Sequence, residues 1–159
     1  MKHGTRDPNM KTTAIFLSTV LLMGACHAFE VAGTVKSVKG SAHIERGNER
    51  IPVTVGSHLQ AQDKLFSGPG SSVGVTLRDS TLLTAGPNST IELSHYAFDR
   101  NTQVGHMDTL VRRGSLAVVS GQIAKNNPDQ VVFRTSTVTV GVRGTEFIID
   151  ANAEGLDVK

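Results

Sequence analysis

The sequence predicts an all-β domain behind a short helical leader, and three observations carry that expectation. Beyond the leader, short runs of β-branched residues are separated by Gly, Pro, Asn and Asp at intervals of about ten residues, the spacing of an all-β domain. Gly occurs 16 times while aromatic residues make up only 4%, a mixture that favours strands and turns over helices. No window beyond the leader repeats apolar residues with the helical period, so helix content is slight. The 159 residues suffice for one hydrophobic core and are few for two. One Cys and no metal-type Cys/His spacing exclude a disulfide-stapled mini-domain and a zinc module. The strand-like runs exclude a coiled coil and a disordered tail.

The leader occupies residues 1–28. Lys2, His3, Arg6 and Lys11 precede the apolar run Ala14 to Ala25, and small residues lead to Cys26-His27-Ala28. That order is a secretory signal peptide. The apolar run is shorter than the roughly 18–20 residues that span a bilayer, so a retained transmembrane helix is not expected. Met10 offers a second start, which makes residues 1–9 an optional extension. A cut after Ala28 is the preferred reading and leaves a chain beginning Phe29-Glu30. Met23-Gly24-Ala25-Cys26 offers the alternative, a lipoprotein box with Cys26 lipidated. In neither case is the thiol a catalytic nucleophile.

The domain then runs over 29–159, with a core of about 31–150. Gly33 to Gly40 leads into Ser41 to Arg46, Gly47-Asn48 turns the chain, and Ile51-Pro52-Val53-Thr54-Val55 follows with Pro52 marking an edge or strand start. Leu59 and Leu65-Phe66 flank Gln62-Asp63. Gly68-Pro69-Gly70 is the strongest turn. Val73, Val75 and Leu77 alternate with Gly74 and Thr76, as in a half-buried strand. Arg78-Asp79-Ser80 turns into Thr81 to Thr84, and Gly86-Pro87-Asn88-Ser89 turns into Thr90 to Leu93. The polar segment Tyr96 to Asp108 reads as a loop with a hairpin end. Leu110-Val111 and Gly114 to Val119 read as a strand pair, Asn126 to Asp129 as a loop. Val131 to Thr135, Thr137 to Val142 and Glu146 to Asp150 are the last long strands. Ala151 to Gly155 reads as a hairpin turn whose return strand starts at Leu156 and leaves an open strand edge.

Chemistry-bearing patterns are sparse. His43, His58, His95 and His106 show no His-x-His or His-Glu-x-x-His spacing and read as surface histidines. Carboxylates are scattered singly, no serine sits in a Gly-x-Ser-x-Gly elbow, and no phosphate loop is present. One Tyr and no Trp leave no stacking platform for single-stranded nucleic acid. No catalytic residue, metal ligand or cofactor is therefore assigned. The most constrained segment is Gly141-Val142-Arg143-Gly144-Thr145-Glu146-Phe147, where two glycines around an Arg suggest a corner with backbone close to backbone. Arg143 then reads as an inward fork pinning that corner, with anion binding as the alternative. Arg112-Arg113 reads as a solvated strand end.

Three stretches resemble the FecR domain: Gln62-Asp63-Lys64-Leu65-Phe66-Ser67-Gly68, Ser72 to Leu82, and Gly141 to Phe147. Gly33-x-Val35 and Gly40-x-Ala42 are similar to its opening hairpin. Asp63, Gly68, Asp79, Gly141, Arg143, Gly144, Thr145 and Phe147 are the motif residues, taken as structural. Gln62 stands where the family usually has Gly, Ser67 where it has Thr, and Ser80 where it has the Gly of Asp-Gly-Ser. The resemblance implies a single compact domain with solenoid-like or β-roll winding, a β-sandwich being the alternative. The family's founding members are transmembrane regulators of a sigma factor. Here the sequence offers no cytoplasmic regulatory segment, so direct sigma-factor control is not expected.

The expected function is that of a periplasmic or otherwise exported, non-catalytic envelope protein. It would act as a protein-protein interaction or sensing module, with another envelope protein as partner. Nucleic acid is not an expected partner, and membrane is one only through a lipid at Cys26. A glycan- or peptidoglycan-binding module is the first alternative, opposed by the scarcity of aromatics; an enzyme of unknown activity is the second. Charge supports the dismissal of nucleic acid. The net charge of +2 comes from the leader, because residues 29–159 hold 13 basic and 13 acidic side chains.

Overall fold

The computed structural model describes residues 30–141, 146–151 and 157–158. The strands are β1 (Val31–Lys39), β2 (Ala42–Arg46), β3 (Glu49–Pro52), β4 (His58–Gln60), β5 (Lys64–Ser67), β6 (Ser72–Leu77) and β7 (Leu82–Ala85). They continue with β8 (Thr90–Phe98), β9 (Gly105–Arg113), β10 (Ser115–Val119), β11 (Val131–Arg134), β12 (Thr139–Gly141), β13 (Glu146–Asp150) and β14 (Asp157–Val158). One short helix, α1 (Gln122–Asn126), and a 3-10 turn at Pro128–Gln130 separate β10 from β11. The leader, with Cys26 and both cleavage readings, lies outside the described residues, as do Arg143, Gly144 and Thr145.

Two seven-stranded sheets form. The first has the order β14-β13-β10-β7-β6-β1-β4 and the second β12-β11-β9-β8-β5-β2-β3. The chain crosses repeatedly from one to the other: β1 in the first, β2 and β3 in the second, β4 back in the first, and so on to β13. Both sheets grow in the same direction, from β3 and β4 at one edge to β12 and β14 at the other. This is the winding of a roll flattened into two layers, so the all-β expectation holds in both forms. The pairings are antiparallel apart from β9 with β11.

The layers meet because period-two alternation gives each strand one apolar side. Val73, Val75 and Leu77 of β6 are buried, and Ser72, Gly74 and Thr76 between them are not. The first sheet also sends in Val35, Leu83, Leu116, Val118 and Ile149; the second sends in Ile44, Leu65, Ile91, Leu93, Met107 and Phe133. Each such side chain contributes about 1.5–3 kcal/mol by leaving water. Phe133 of β11 meets Phe147 of β13 edge to face, with centroids 5.3 Å apart, tying the two sheets near their last strands.

Four expectations need correction. Tyr96 to Asp108 is loop only over 99–104, and its two ends are strand: β8 and β9 pair from Thr90–Arg113 to Phe98–Gly105. A register shift between Leu93 and His95 breaks the alternation, which is why the sequence looks like loop there. Leu110-Val111 and Gly114 to Val119 do not pair, since β9 and β10 lie in different sheets. The opening hairpin is likewise none, as β1 pairs with β4 and β6 while β2 pairs with β3 and β5. The loop expected at Asn126 to Asp129 instead spans the end of α1 and the 3-10 turn that Pro128 opens. By contrast, the β2–β3 hairpin over Gly47-Asn48 and the pairing of β13 with β14 are as expected.

Candidate functional site

The strands share two ends, and the motif residues sort between them. At one end the chain changes sheet through serine and glycine corners, built twice on one plan. Gly68-Pro69-Gly70-Ser71 and Gly86-Pro87-Asn88-Ser89 each place a positive φ at the third residue, +63° at Gly70 and +52° at Asn88. Each final serine donates its hydroxyl to the proline carbonyl, at 3.3 Å in both turns. The same hydroxyl accepts a backbone N–H from a neighbouring Gly-Ser step: Ser41 N to Ser71 Oγ at 2.9 Å, Ser115 N to Ser89 Oγ at 3.0 Å. The Gly-Ser steps themselves carry φ +77° at Gly40 and +85° at Gly114.

The two corners are stitched together by Ser67. Its hydroxyl donates to Gly86 O at 2.5 Å and accepts from Ser89 N at 3.0 Å. Gly68 lies inside this seam; its N–H donates to Ser41 O at 2.9 Å, and a Cβ there would press on the Ser41 hydroxyl. The repetition of Gly-Pro-x-Ser is visible in the sequence at an interval of 18 residues, a signal that a search for turns alone passes over.

The opposite end is held by two buried carboxylates. Asp63, 1% exposed, takes Arg46 Nε on Oδ1 at 2.8 Å, and on Oδ2 both Arg46 Nη2 at 2.7 Å and Gln60 N at 2.8 Å. Its hydrogen bond and charge hold the Arg46 guanidinium above its ordinary value. Asp79, also 1% exposed, accepts from Thr81 Oγ1 at 2.7 Å, from Tyr96 OH at 3.2 Å and from Ile123 N at 3.4 Å. The Asp79 carboxylate thus joins the β6–β7 turn to β8 and to the start of α1. Burial and the Asp79 charge push the Tyr96 phenol above its ordinary value. Arg46 and Tyr96 carry no local motif, so nothing in the sequence announces them as partners.

At the late motif, Gly141 ends β12, is exposed, and a Cβ on it would meet nothing among the described residues. The corner expected between the two glycines lies mostly outside the described residues. The expectation that Arg143 pins a corner falls outside the described residues, with Gly144 and Thr145. Phe147 is buried on Phe133.

Surface chemistry is modest. Of the four histidines beyond the leader, His58, His95 and His106 are exposed, and His106 Nδ1 lies 3.1 Å from Gln130 Oε1. His43 stacks on Phe66 with centroids 4.7 Å apart, and Arg50 Nη2 donates to its Nδ1 at 3.2 Å. Desolvation, then the Arg50 charge, lower the His43 imidazole below its ordinary value. These residues line a shallow groove of about 450 Å³ with Ser41, Pro52 and Gly68. A second groove of about 540 Å³ holds Lys36, Arg78 and Arg100 beside Thr34 and Thr76, and there the Glu30 carboxylate pairs with Arg78. Among the described residues, no three His, Cys, Asp or Glu side chains are grouped to hold a metal ion. No described helix is long and apolar enough to cross a membrane.

Every motif carboxylate described here is thus engaged inside the protein, and what faces solvent is sheet surface and strand edge. Among curated proteins and among solved structures, no match was found. Residues 63–159, well over half of the chain, match the model of the family described as FecR protein, which is a regulatory family of the cell envelope. The match takes in Asp63, Asp79, the serine seam from Ser67 to Ser115 and the late Phe147, and the chain belongs to the FecR family.

Proposed function

We propose that the protein is an exported, non-catalytic envelope module that acts in sensing or regulation by binding another envelope protein through strand addition. Asp63, Gly68, Asp79 and Phe147 build the scaffold in this reading, and recognition belongs to an edge. The supporting observation is the contrast between the outer strands of the second sheet. At one edge β3 carries Glu49, Arg50 and Pro52, features that discourage pairing with another chain. At the other edge β12 reads Thr139-Val140-Gly141 after an exposed Val138, with neither charge nor proline. A partner segment in extended conformation finds backbone groups there that pair with no further described strand, and side-chain pockets on alternate positions supply selectivity.

Export rests on the leader pattern and on the family. With the preferred cut the protein is free in the periplasm; with Cys26 lipidated it is membrane-anchored. The intact mass of the N-terminus in cell fractions distinguishes the two. The binding reading is tested by capture of a stoichiometric partner from envelope extracts with the native chain and with Thr139→Lys. The charge placed on the edge should abolish capture while leaving the circular dichroism spectrum unchanged. Equal capture by both proteins would remove the edge from the reading, and no partner under several growth conditions would remove the reading itself.

A glycan module remains the second reading because of one surface, the stacked His43 and Phe66 rings with Arg50 beside them. Co-sedimentation with purified sacculi that is lost in Phe66→Ser would favour it over protein binding.

A further inference from the structure

The outward faces of the two sheets differ in chemistry. The second sheet presents charges held in ion pairs across strands, Arg112 with Glu92 at 2.7 Å and Arg134 with Asp108 at 2.5 Å. Among the described residues the first sheet presents fewer, Lys36 and Lys39 on β1 and Glu146 and Asp150 on β13. The strand registers place Thr34, Thr76, Leu82, Val119 and Glu146 in one row across β1, β6, β7, β10 and β13. The next row runs through Gly74, Thr84 and Ala117 to Ile148. Leu82 is 44% exposed, Val119 38% and Ile148 49%. Small side chains between them keep this face flat, and charge appears only at its two ends. Glu146 closes the first row on β13. At the far end Lys36, the extra residue where the register shifts between Val35 and Ser37, stands exposed on β1 next to Thr34.

We infer that this face is where a second copy of the chain docks, by a two-fold axis running along β7. Such an axis turns the sheet over and exchanges its ends without sliding it along the strands. Leu82 then meets the Leu82 of the other copy on the axis, β10 lies over β6, and β13 lies over β1. Glu146 of each copy arrives at the level of Thr34 and Lys36 of the other, so both charged ends are matched in one operation. Side chains from the two faces fill the ~10 Å by which packed sheets are separated. The face offers no such match to a copy turned about an axis across the strands, because Glu146 would then meet Glu146. Five strands at ~4.8 Å spacing and two rows of side chains cover on the order of 400 Å² per copy. That lies below the range of permanent complexes, so the dimer forms reversibly and in a concentration-dependent way. It uses the face of the first sheet and leaves the β12 edge free, so it stands or falls independently of the proposed strand addition.

The test is sedimentation equilibrium of the protein as recovered from cells, from micromolar to millimolar concentration. The weight-average mass should rise from one copy toward two. Leu82→Glu should hold it at one copy with an unchanged circular dichroism spectrum. Glu146→Lys should weaken association at least about tenfold, and the double variant Glu146→Lys/Lys36→Glu should restore it. A single-copy mass up to millimolar concentration overturns the inference, and so does a dimer indifferent to Leu82→Glu. If Leu82→Glu leaves a one-copy protein that has lost capture of an envelope protein, the face belongs to that partner and the two-fold assignment is wrong.

Discussion

Arg46 grips Asp63 with two parallel hydrogen bonds, Nε to Oδ1 at 2.8 Å and Nη2 to Oδ2 at 2.7 Å, across 17 positions of the chain. The pair joins the end of β2 to the turn before β5, and the carboxylate is the buried partner. Arg46→Met leaves that carboxylate without its cation in a site closed to water. The expected loss is about 3 kcal/mol in urea denaturation. Adding Asp63→Asn, which keeps the acceptor for Gln60 N without the charge, should recover part of it. A loss below 1 kcal/mol, on the order seen for exposed ion pairs, would remove the pair from the account of stability.

Gln62 and Ser80 sit at φ +72° and +69°, in the left-handed region that side chains rarely adopt. They are the positions at which this chain departs from the glycines of the FecR pattern. Gln62→Gly and Ser80→Gly should each stabilise the protein by about 0.5–1 kcal/mol, the relief of strain exceeding the extra freedom of the unfolded chain. In calorimetry that amounts to a rise in Tm of about 2–4 °C. Gln62→Val is the counter-experiment and should lower Tm.

Gly114 turns the chain between the sheets at φ +85°, and a Cβ on it would overlap the Ser89 side chain and backbone. Gly114→Ala should therefore cost about 3 kcal/mol, from strain and displaced packing together. Gly40→Ala meets Ser71 in the equivalent corner and should behave alike. Ser89→Ala, which removes the acceptor for Ser115 N–H and nothing from the core, should cost about 1–2 kcal/mol. A Gly40→Ala protein as stable as the parent would show that the two corners are not energetically equivalent.

Tyr96 is the only tyrosine and there is no tryptophan, so ultraviolet absorbance at high pH reports one group. Burial, then the Asp79 charge, raise its folded-state pKa above the ordinary 10.0. A raised pKa means that its contribution to stability is complete below pH 10.0 and is lost as pH climbs beyond it. Tyrosinate absorbance should therefore appear together with the loss of the circular dichroism signal, above the pH at which free tyrosine ionises. Ionisation at the ordinary value in a fully folded protein would contradict the burial of this phenol against Asp79.

The strands were legible wherever alternation was unbroken, as in Val73, Val75 and Leu77, and wherever a two-residue turn such as Gly47-Asn48 joined neighbours. Two physical effects hid the rest. The register shift after Leu93 displaces the inward positions to Tyr96 and Phe98, so the last three residues of β8 read as polar loop. Second, strands adjacent in sequence need not pair: Gly40 and Gly114 send the chain across to the other sheet, and local turn chemistry does not reveal which sheet receives it. The motif positions Asp63 and Asp79 were found from the sequence by resemblance, but their partners Arg46 and Tyr96 come from 17 residues away in each case and have no local signature.

The interleaved winding also bears on how this protein can be divided. The stretch that matches the family begins at Asp63, yet β1 inserts between β4 and β6, and β2 inserts between β3 and β5. A fragment starting at that boundary would strip the six-position ladder from β6, withdraw Val35 and Ile44 from the interior and leave Asp63 without Arg46. The recognisable motif and the unit that folds are different lengths of chain, and the shorter one is not a module that can be grafted or expressed alone.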